Sequence, residues 1–422
     1  MTDISSVFPK LKYDDKYDCG DDTYMFVVAD TDAVRFEELC REAEKAGFNL
    51  IDSSDIDSNL SRTYRKDYLL HIYYNPAERK IRIIIDNLTD EYSVNPIKSG
   101  NTPSVLWQFE VDHSLIDCGM CYIMRCDDGS FFIIDTPHWY SVNDDIRIIE
   151  FLKKVSGEEK PRIAGWFFSH AHEDHIGKFN DLITYHYDKI SIDTVYYNFP
   201  SPSHRDAPWE IPFYNAMRDF RENLGRHPEI KQVKVHTGMR FAVKNIAFTV
   251  LCTHEDIHPQ STLDFNNTSS VILAECEGTR IFFPGDASSH SDRVITSRYG
   301  DALKCDIMQI AHHGHSGLSP EFYRRAGAKC ALFPVTQIKF DEELPRQESN
   351  RLAIEIADEY HIASNGTVEI PLPYSLHNIS VYPDETFEDF EGIFNLWCYE
   401  YTDEYKERLY NEYLKRKVDK NS

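Results

Sequence analysis

Apolar residues in this chain fall into short runs bounded by Gly, Pro, Asn and Asp, with helix-period segments between them. Tyr24-Met-Phe-Val-Val-Ala29 reads as a buried strand, and Asp32 is placed to cap an amphipathic helix from Ala33 to about Gly47. Asp67–Tyr74 and Lys80–Asp86 read as two strands joined by Asn75-Pro-Ala-Glu78, a hairpin with turn residues where the chain reverses. The polar, charged residues before about position 20 read as a loosely held arm. Residues 1–104 therefore predict a small α+β accessory domain, with Lys98–Pro103 as its exit linker.

Beyond the linker, periods of 2 and 3.6 alternate. Met120–Arg125 and Phe131–Asp135 form a hairpin about Asp127-Asp-Gly-Ser130. A helix over Asp144–Val155 precedes the apolar strand Arg162–Phe168, and a helical stretch follows Gly177. Strands follow at Asp193–Tyr197, Gln232–His236 and Ala247–Cys252, with a helix over Tyr214–Leu224. A second hairpin runs from Asn266–Glu275 to Thr279–Asp286, then a helix over His290–Tyr299 and strands at Cys305–Ala311, Ala331–Val335 and Gly366–Leu372. Such alternation predicts a layered α/β domain over 105–380. Thr402–Val418 reads as a charged terminal helix within a C-terminal extension, 381–422.

The chemistry collects at strand ends. Arg162–Phe168 runs into His170, His172, Asp174 and His175, four metal-binding side chains within six residues. Imidazole nitrogens with carboxylate oxygens are what zinc takes in open catalytic sites. Downstream, strands end at His254 and at Asp286, and another runs into His312-His313-Gly314; the first hairpin delivers Asp135 in the same way. His254 is followed by His258, so a loop histidine without a ligand role is its alternative reading. His312 and His313 would point to opposite sides if their strand continued.

In order and spacing, Asp135, the H-x-H-x-D-H cluster at His170, His172, Asp174 and His175, His254, Asp286 in Pro284-Gly-Asp, and His313 resemble the metallo-β-lactamase-fold superfamily over about residues 105–340. Asn266-x-x-Ser269/Ser270, Gly285-Asp286 and His312-His313-Gly314 most resemble the branch with competence-protein hydrolase domains and phosphorylcholine esterases. The resemblance implies an αββα four-layer sandwich and two divalent metal ions, zinc favoured with manganese or ferrous iron as alternatives. One ion would be held by His170, His172 and His254. The other would be held by Asp174, His175 and His313, with Asp286 bridging and Asp135 supporting a ligand histidine from behind. Asp174 and His312 are then the residues expected to carry catalysis, His312 as a proton donor facing substrate, with a hydrogen-bonded structural histidine as its alternative reading.

The implied activity is hydrolysis by a hydroxide shared between two metals. A bridging Asp286 points away from β-lactam cleavage, and His172 in place of a Glu points away from diiron redox chemistry. Phosphodiesters lead as substrates, with small esters, thioesters or lactones as the alternative; a non-catalytic metal-binding or scaffold module is the reading from another class. Trp139, Tyr140, Trp209 and Phe213 are either packing or the lining of a pocket for a cationic or ring-bearing group.

Composition narrows the partners. A formal charge of −25 opposes general nucleic-acid binding, since phosphate backbones need Lys and Arg to displace counterions. A hydrophobic content of 41% in 422 residues supports a sizeable core. No run approaches a membrane span and the first residues lack a signal pattern, so a cytoplasmic protein acting on a small-molecule or phosphodiester substrate is expected. Ten cysteines are dilute, and Cys118-x-x-Cys121 reads as two buried thiols.

Overall fold

The computed structural model describes residues 4–111, 119–137, 144–201, 211–258 and 264–383, apart from the side chains of 211–213. Cys118, Trp139, Tyr140, Trp209, the Phe213 side chain and the expected helix over 402–418 lie outside what it describes.

The first hundred residues build an antiparallel six-stranded sheet in the order Asp15–Gly20, Thr23–Val28, Lys80–Asp86, Leu69–Asn75, Asn59–Arg65, Asn49–Ile56. The helix Ala33–Lys45 starts at Asp32, whose side chain accepts from the Arg35 amide at 3.0 Å. It buries Phe36, Leu39, Cys40 and Ala43 on Ile72, Ile81, Ile83 and Ile85 of the sheet. The expected loose arm is corrected here: Asp15–Gly20 is an edge strand paired with Thr23–Val28. An edge strand with one wet face tolerates the polar Asp-Lys-Tyr-Asp pattern that disguised it.

Two larger sheets follow. In the first, Lys231–Lys234, Thr194–Tyr197, Arg162–Phe168 and Phe131–Ile134 run parallel. Tyr122–Arg125, Val105–Gln108, Thr367–Pro371 and Ser380–Tyr382 extend it antiparallel. The second orders Arg240–Val243, Ile246–Cys252, Val271–Cys276, Thr279–Phe283, Ile307–Gln309, Cys330–Phe333 and Glu359–Ile362. Their facing sides share one core, in which Phe132, Phe167 and Tyr196 meet Phe241, Phe248 and Ile281. The rings of Phe132 and Phe248 lie 4.3 Å apart. Burial on both faces explains why Arg162–Phe168 is apolar almost throughout.

Helices Asp144–Ser156, Glu173–Tyr185 and Ile211–Arg226 cover the outer face of the first sheet through Ile148, Leu152, Phe179, Leu182 and Phe220. Ser289–Arg298, Pro320–Ala326, Gln337–Glu343 and Glu348–Ile356 cover the second through Ile295, Phe322, Phe340 and Ala353. Helix, sheet, sheet and helix form the four layers expected. No helix among the described residues is long and apolar enough to cross a membrane.

The N-terminal sheet is joined to the layers by buried polar bonds. The His236 ring lies between Asp86 (3.2 Å) and Glu255 (2.8 Å). Arg298 pairs with Asp256 at 2.7 Å and with Glu78, which also holds Arg82 at 2.8 Å.

Candidate metal centre

The strand Arg162–Phe168 ends at Ser169-His170, and the chain turns into the helix Glu173–Tyr185 with His172 at its N-cap. The helix begins at Glu173, five residues before the position after Gly177, so Asp174 and His175 sit on its first turn rather than on a loop. The His172 carbonyl accepts from the His175 and Ile176 amides, both at 3.0 Å, which fixes that turn.

Asp286 follows the strand Thr279–Phe283 through Pro284-Gly285. Gly285 has φ +58°, and a Cβ there would fall 2.6 Å from Ser169 Cβ, so the turn passes only as glycine. Gln309 clamps it from both sides, accepting from the Gly285 amide at 3.1 Å and donating to its carbonyl at 2.8 Å.

His312 and His313 correct the expectation of a continuing strand. Both are left-handed, with φ +50° and +52°, in a tight turn over Ala311–Gly314. The turn brings His313 onto the carboxylates: its Nε2 is 3.0 Å from Asp174 Oδ2 and 3.3 Å from Asp286 Oδ2. His175 Nε2 reaches the same two oxygens at 3.5 and 3.3 Å. Ligand atoms of Asp174, His175, Asp286 and His313 thus lie within 4.8 Å of one another.

His170 borders this group, its ring 4.1 Å from that of His175 and its Nε2 3.9 Å from Asp286 Oδ2. The His172 ring lies 4.6 Å from that of His170 and stacks on Phe265 at 5.8 Å. His254 Nε2 meets Asn198 Oδ1 at 3.0 Å. Asn198 spends its two amide protons on the Val235 carbonyl and on Glu255, so His254 donates from Nε2, and a metal bond from it would use Nδ1.

The supporting bonds set the outward nitrogens. Asp135 Oδ2 accepts from His175 Nδ1 at 2.9 Å, and the Pro334 carbonyl accepts from His313 Nδ1 at 2.8 Å. Ser169 links Asp135 to His170: its amide and hydroxyl both donate to Asp135 at 2.7 Å, and its Oγ is 3.0 Å from His170 Nδ1. Sequence reading missed Ser169 and the Pro334 carbonyl. A serine beside the first histidine is a weak signal, and a backbone acceptor leaves none.

The donor set fits divalent metal. The Nε2 atoms of His170, His175 and His313 and Asp286 Oδ1 are buried without a hydrogen-bond partner among the described residues. Buried polar atoms of that kind call for an explanation, and a cation satisfies lone pairs that no donor meets. Without metal, burial opposes charge on His175 and His313, but Asp286 and Asp174 outweigh it. His175 is held well above the usual imidazole range and His313 is raised to about 10. Metal would displace those protons. Burial, with His175 and His172 beside it, keeps His170 well below that range.

No protein-family model and no curated protein matches the chain. Among solved structures it is similar to the metallo-beta-lactamase fold protein YhfI from Bacillus subtilis, at 13% identity and TM-score 0.39 over 61% of this chain and 96% of that one. It is also similar to CmlA, a diiron beta-hydroxylase from Streptomyces venezuelae, at 11% identity and TM-score 0.36 over 66% and 54%. A metallo-beta-lactamase from Staphylococcus aureus matches at 19% identity and TM-score 0.27 over 44% and 42%. The chain's own layers decide the matter. Two facing sheets between helices, with Asp174, His175, Asp286 and His313 meeting at their ends, make the four-layer α/β arrangement that the resemblance to metallo-β-lactamase-fold proteins implies.

Proposed function

We propose that the chain is a metal-dependent hydrolase with a dinuclear site, acting by preference on phosphodiesters. The observation that carries this is the position of Asp286: its Oδ2 is 3.3 Å from His175 Nε2, 3.3 Å from His313 Nε2 and 3.9 Å from His170 Nε2. A single carboxylate oxygen central to three imidazoles is suited to bridging two cations. Asp174, His175 and His313 would hold one ion and His170 with His172 the other, zinc being the metal this donor set favours. Divalent ions held there would supply Lewis-acid charge to the scissile oxygen and acidify water.

The chain's own groups prepare the site. Asp135 and the Pro334 carbonyl keep protons on the inner nitrogens of His175 and His313, so their Nε2 lone pairs face inward. Ser169 ties His170 to the same support. Burial lowers His312 to about 4 despite the Asp286 charge, so it stands neutral beside the cluster, and we assign it a hydrogen bond to the substrate rather than a proton transfer. Phosphodiesters suit such a site because an in-line displacement needs charge placed at both oxygens more than it needs covalent chemistry. The acidic surface, at −25, favours small diesters over nucleic acid.

The test is a panel of nitrophenyl phosphodiester, phosphomonoester, thioester and lactone substrates on metal-loaded protein. Diester turnover lost in His172→Ala supports the reading. Diester turnover unaffected by that change, or turnover of the thioester or lactone alone, overturns it.

A further inference from the structure

The turn that carries His313 is held against its own backbone preference. His312, His313 and Gly314 are left-handed in succession, at φ +50°, +52° and +81°. Only the third is glycine, and a side chain on the other two crowds the backbone in that conformation. Backbone of this kind persists only where the surrounding contacts over-determine it. At the near end, the His312 amide donates to the Gly285 carbonyl at 3.2 Å, and the same carbonyl accepts from Gln309 at 2.8 Å. The Ala311 amide donates to the Tyr323 hydroxyl at 3.2 Å, and the His315 amide closes the turn on the His312 carbonyl at 2.7 Å.

The far end is held by a residue outside the cluster. Asn350 belongs to the outer helix Glu348–Ile356 and is buried. Its Nδ2 donates to the Gly314 carbonyl at 2.6 Å. A Cβ on Gly314 would fall 3.0 Å from that nitrogen and 3.6 Å from Phe333 Cδ1, so the amide and the turn are in close contact. Loss of the bond would leave a carbonyl in the interior short of its donor, and turning the peptide toward another donor would then be favoured. That rotation opens the run back to the right-handed side. It draws His313 Nε2 off Asp174 and Asp286, which it meets at 3.0 and 3.3 Å.

We propose that Asn350 is a positioning residue for the metal centre: its amide locks the left-handed turn at Gly314 and so sets His313 on the cluster. This deepens the hydrolase reading and rests on it for the cluster being a metal site, while its test reads Zn2+ binding without turnover.

The experiment competes Zn2+ between a chromogenic chelator and the full-length chain, in the natural form, Asn350→Leu, His312→Gly and the double variant. Leucine keeps the branched shape of asparagine but cannot donate. Glycine adopts positive φ freely, so His312→Gly removes strain that the Asn350 bond restrains. Asn350→Leu binds Zn2+ about tenfold more weakly than the natural chain. In the His312→Gly background the same change costs about twofold or less, because the two sites are coupled through one turn. Should Asn350→Leu fail to fold, Asn350→Ala is read in the same four-way comparison. Unchanged affinity would overturn the role, and so would an equal loss in both backgrounds, which is what packing alone gives. Diester turnover with Zn2+ affinity unmoved by the Asn350 change overturns the role and leaves the hydrolase reading standing. Coupled Zn2+ affinities in a chain that turns over no diester overturn the hydrolase reading and leave the role standing.

Discussion

Asp135 and His175 are joined by a 2.9 Å hydrogen bond, from a backbone that places Asp135 at φ +55° and buries both side chains completely. The bond reaches across forty residues of sequence, from the end of one strand to the first turn of a helix that leaves the next. It fixes the proton on His175 Nδ1 and turns Nε2 to the cluster. Asparagine also tolerates the left-handed backbone, so Asp135→Asn removes the charge with little strain. The expected outcome is about 10–100-fold weaker metal binding with the fold retained. Competition with a chromogenic chelator checks it, and unchanged affinity would show that His175 is oriented without Asp135.

Gly165 sits in the apolar strand that feeds the metal cluster. A Cβ there would lie 2.7 Å from Phe132 Cδ2 and 3.0 Å from Tyr196 Cε2, in the core between the two sheets. Gly165→Ala should overpack that core and cost about 1–3 kcal/mol. Chemical denaturation reads this as a lowered midpoint with an unchanged slope; an unchanged midpoint would mean that Phe132 yields without cost.

His236 predicts a pH dependence at the seam of the N-terminal sheet. Burial opposes its charge, but Glu255 and Asp86 outweigh that and raise it to about 9. His71, stacked at 5.6 Å, Lys234, bonded to the Cys19 and Gly20 carbonyls, and His254 are further titratable or charged groups near it. A pKa raised above the unfolded value of 6.5 gives stability that is full below pH 6.5 and lost as pH rises through about 9. The loss should be on the order of 1–3 kcal/mol between those limits. Histidine NMR gives the direct check: a His236 resonance titrating near 6.5 contradicts the buried charged pairing.

Much of this was legible in the sequence because the signals were local. The apolar run into His170-x-His172-x-Asp174-His175 and the strand-end carboxylates at Asp135 and Asp286 marked the cluster. The Asp32 cap and the Asn75–Glu78 hairpin turn were likewise carried by neighbouring residues. What escaped depends on distant partners or on backbone. The strands Asn49–Ile56 and Asn59–Arg65 are polar because one is an edge and both are partly wet. The left-handed turn at His312-His313 has no glycine at either position to announce it. The bond from His254 Nε2 to Asn198, fifty-six residues away, has no local signal either, and it leaves Nδ1 as the nitrogen for the expected metal bond.

The central claim is that Asp286 stands between two metal ions. Elemental analysis of purified chain, prepared without chelators, measures this most directly, beside Asp286→Ala prepared in the same way. The account predicts about two divalent ions per chain in the natural protein, and at most one in the variant. One ion or fewer in the natural protein, or two retained without Asp286, would contradict it.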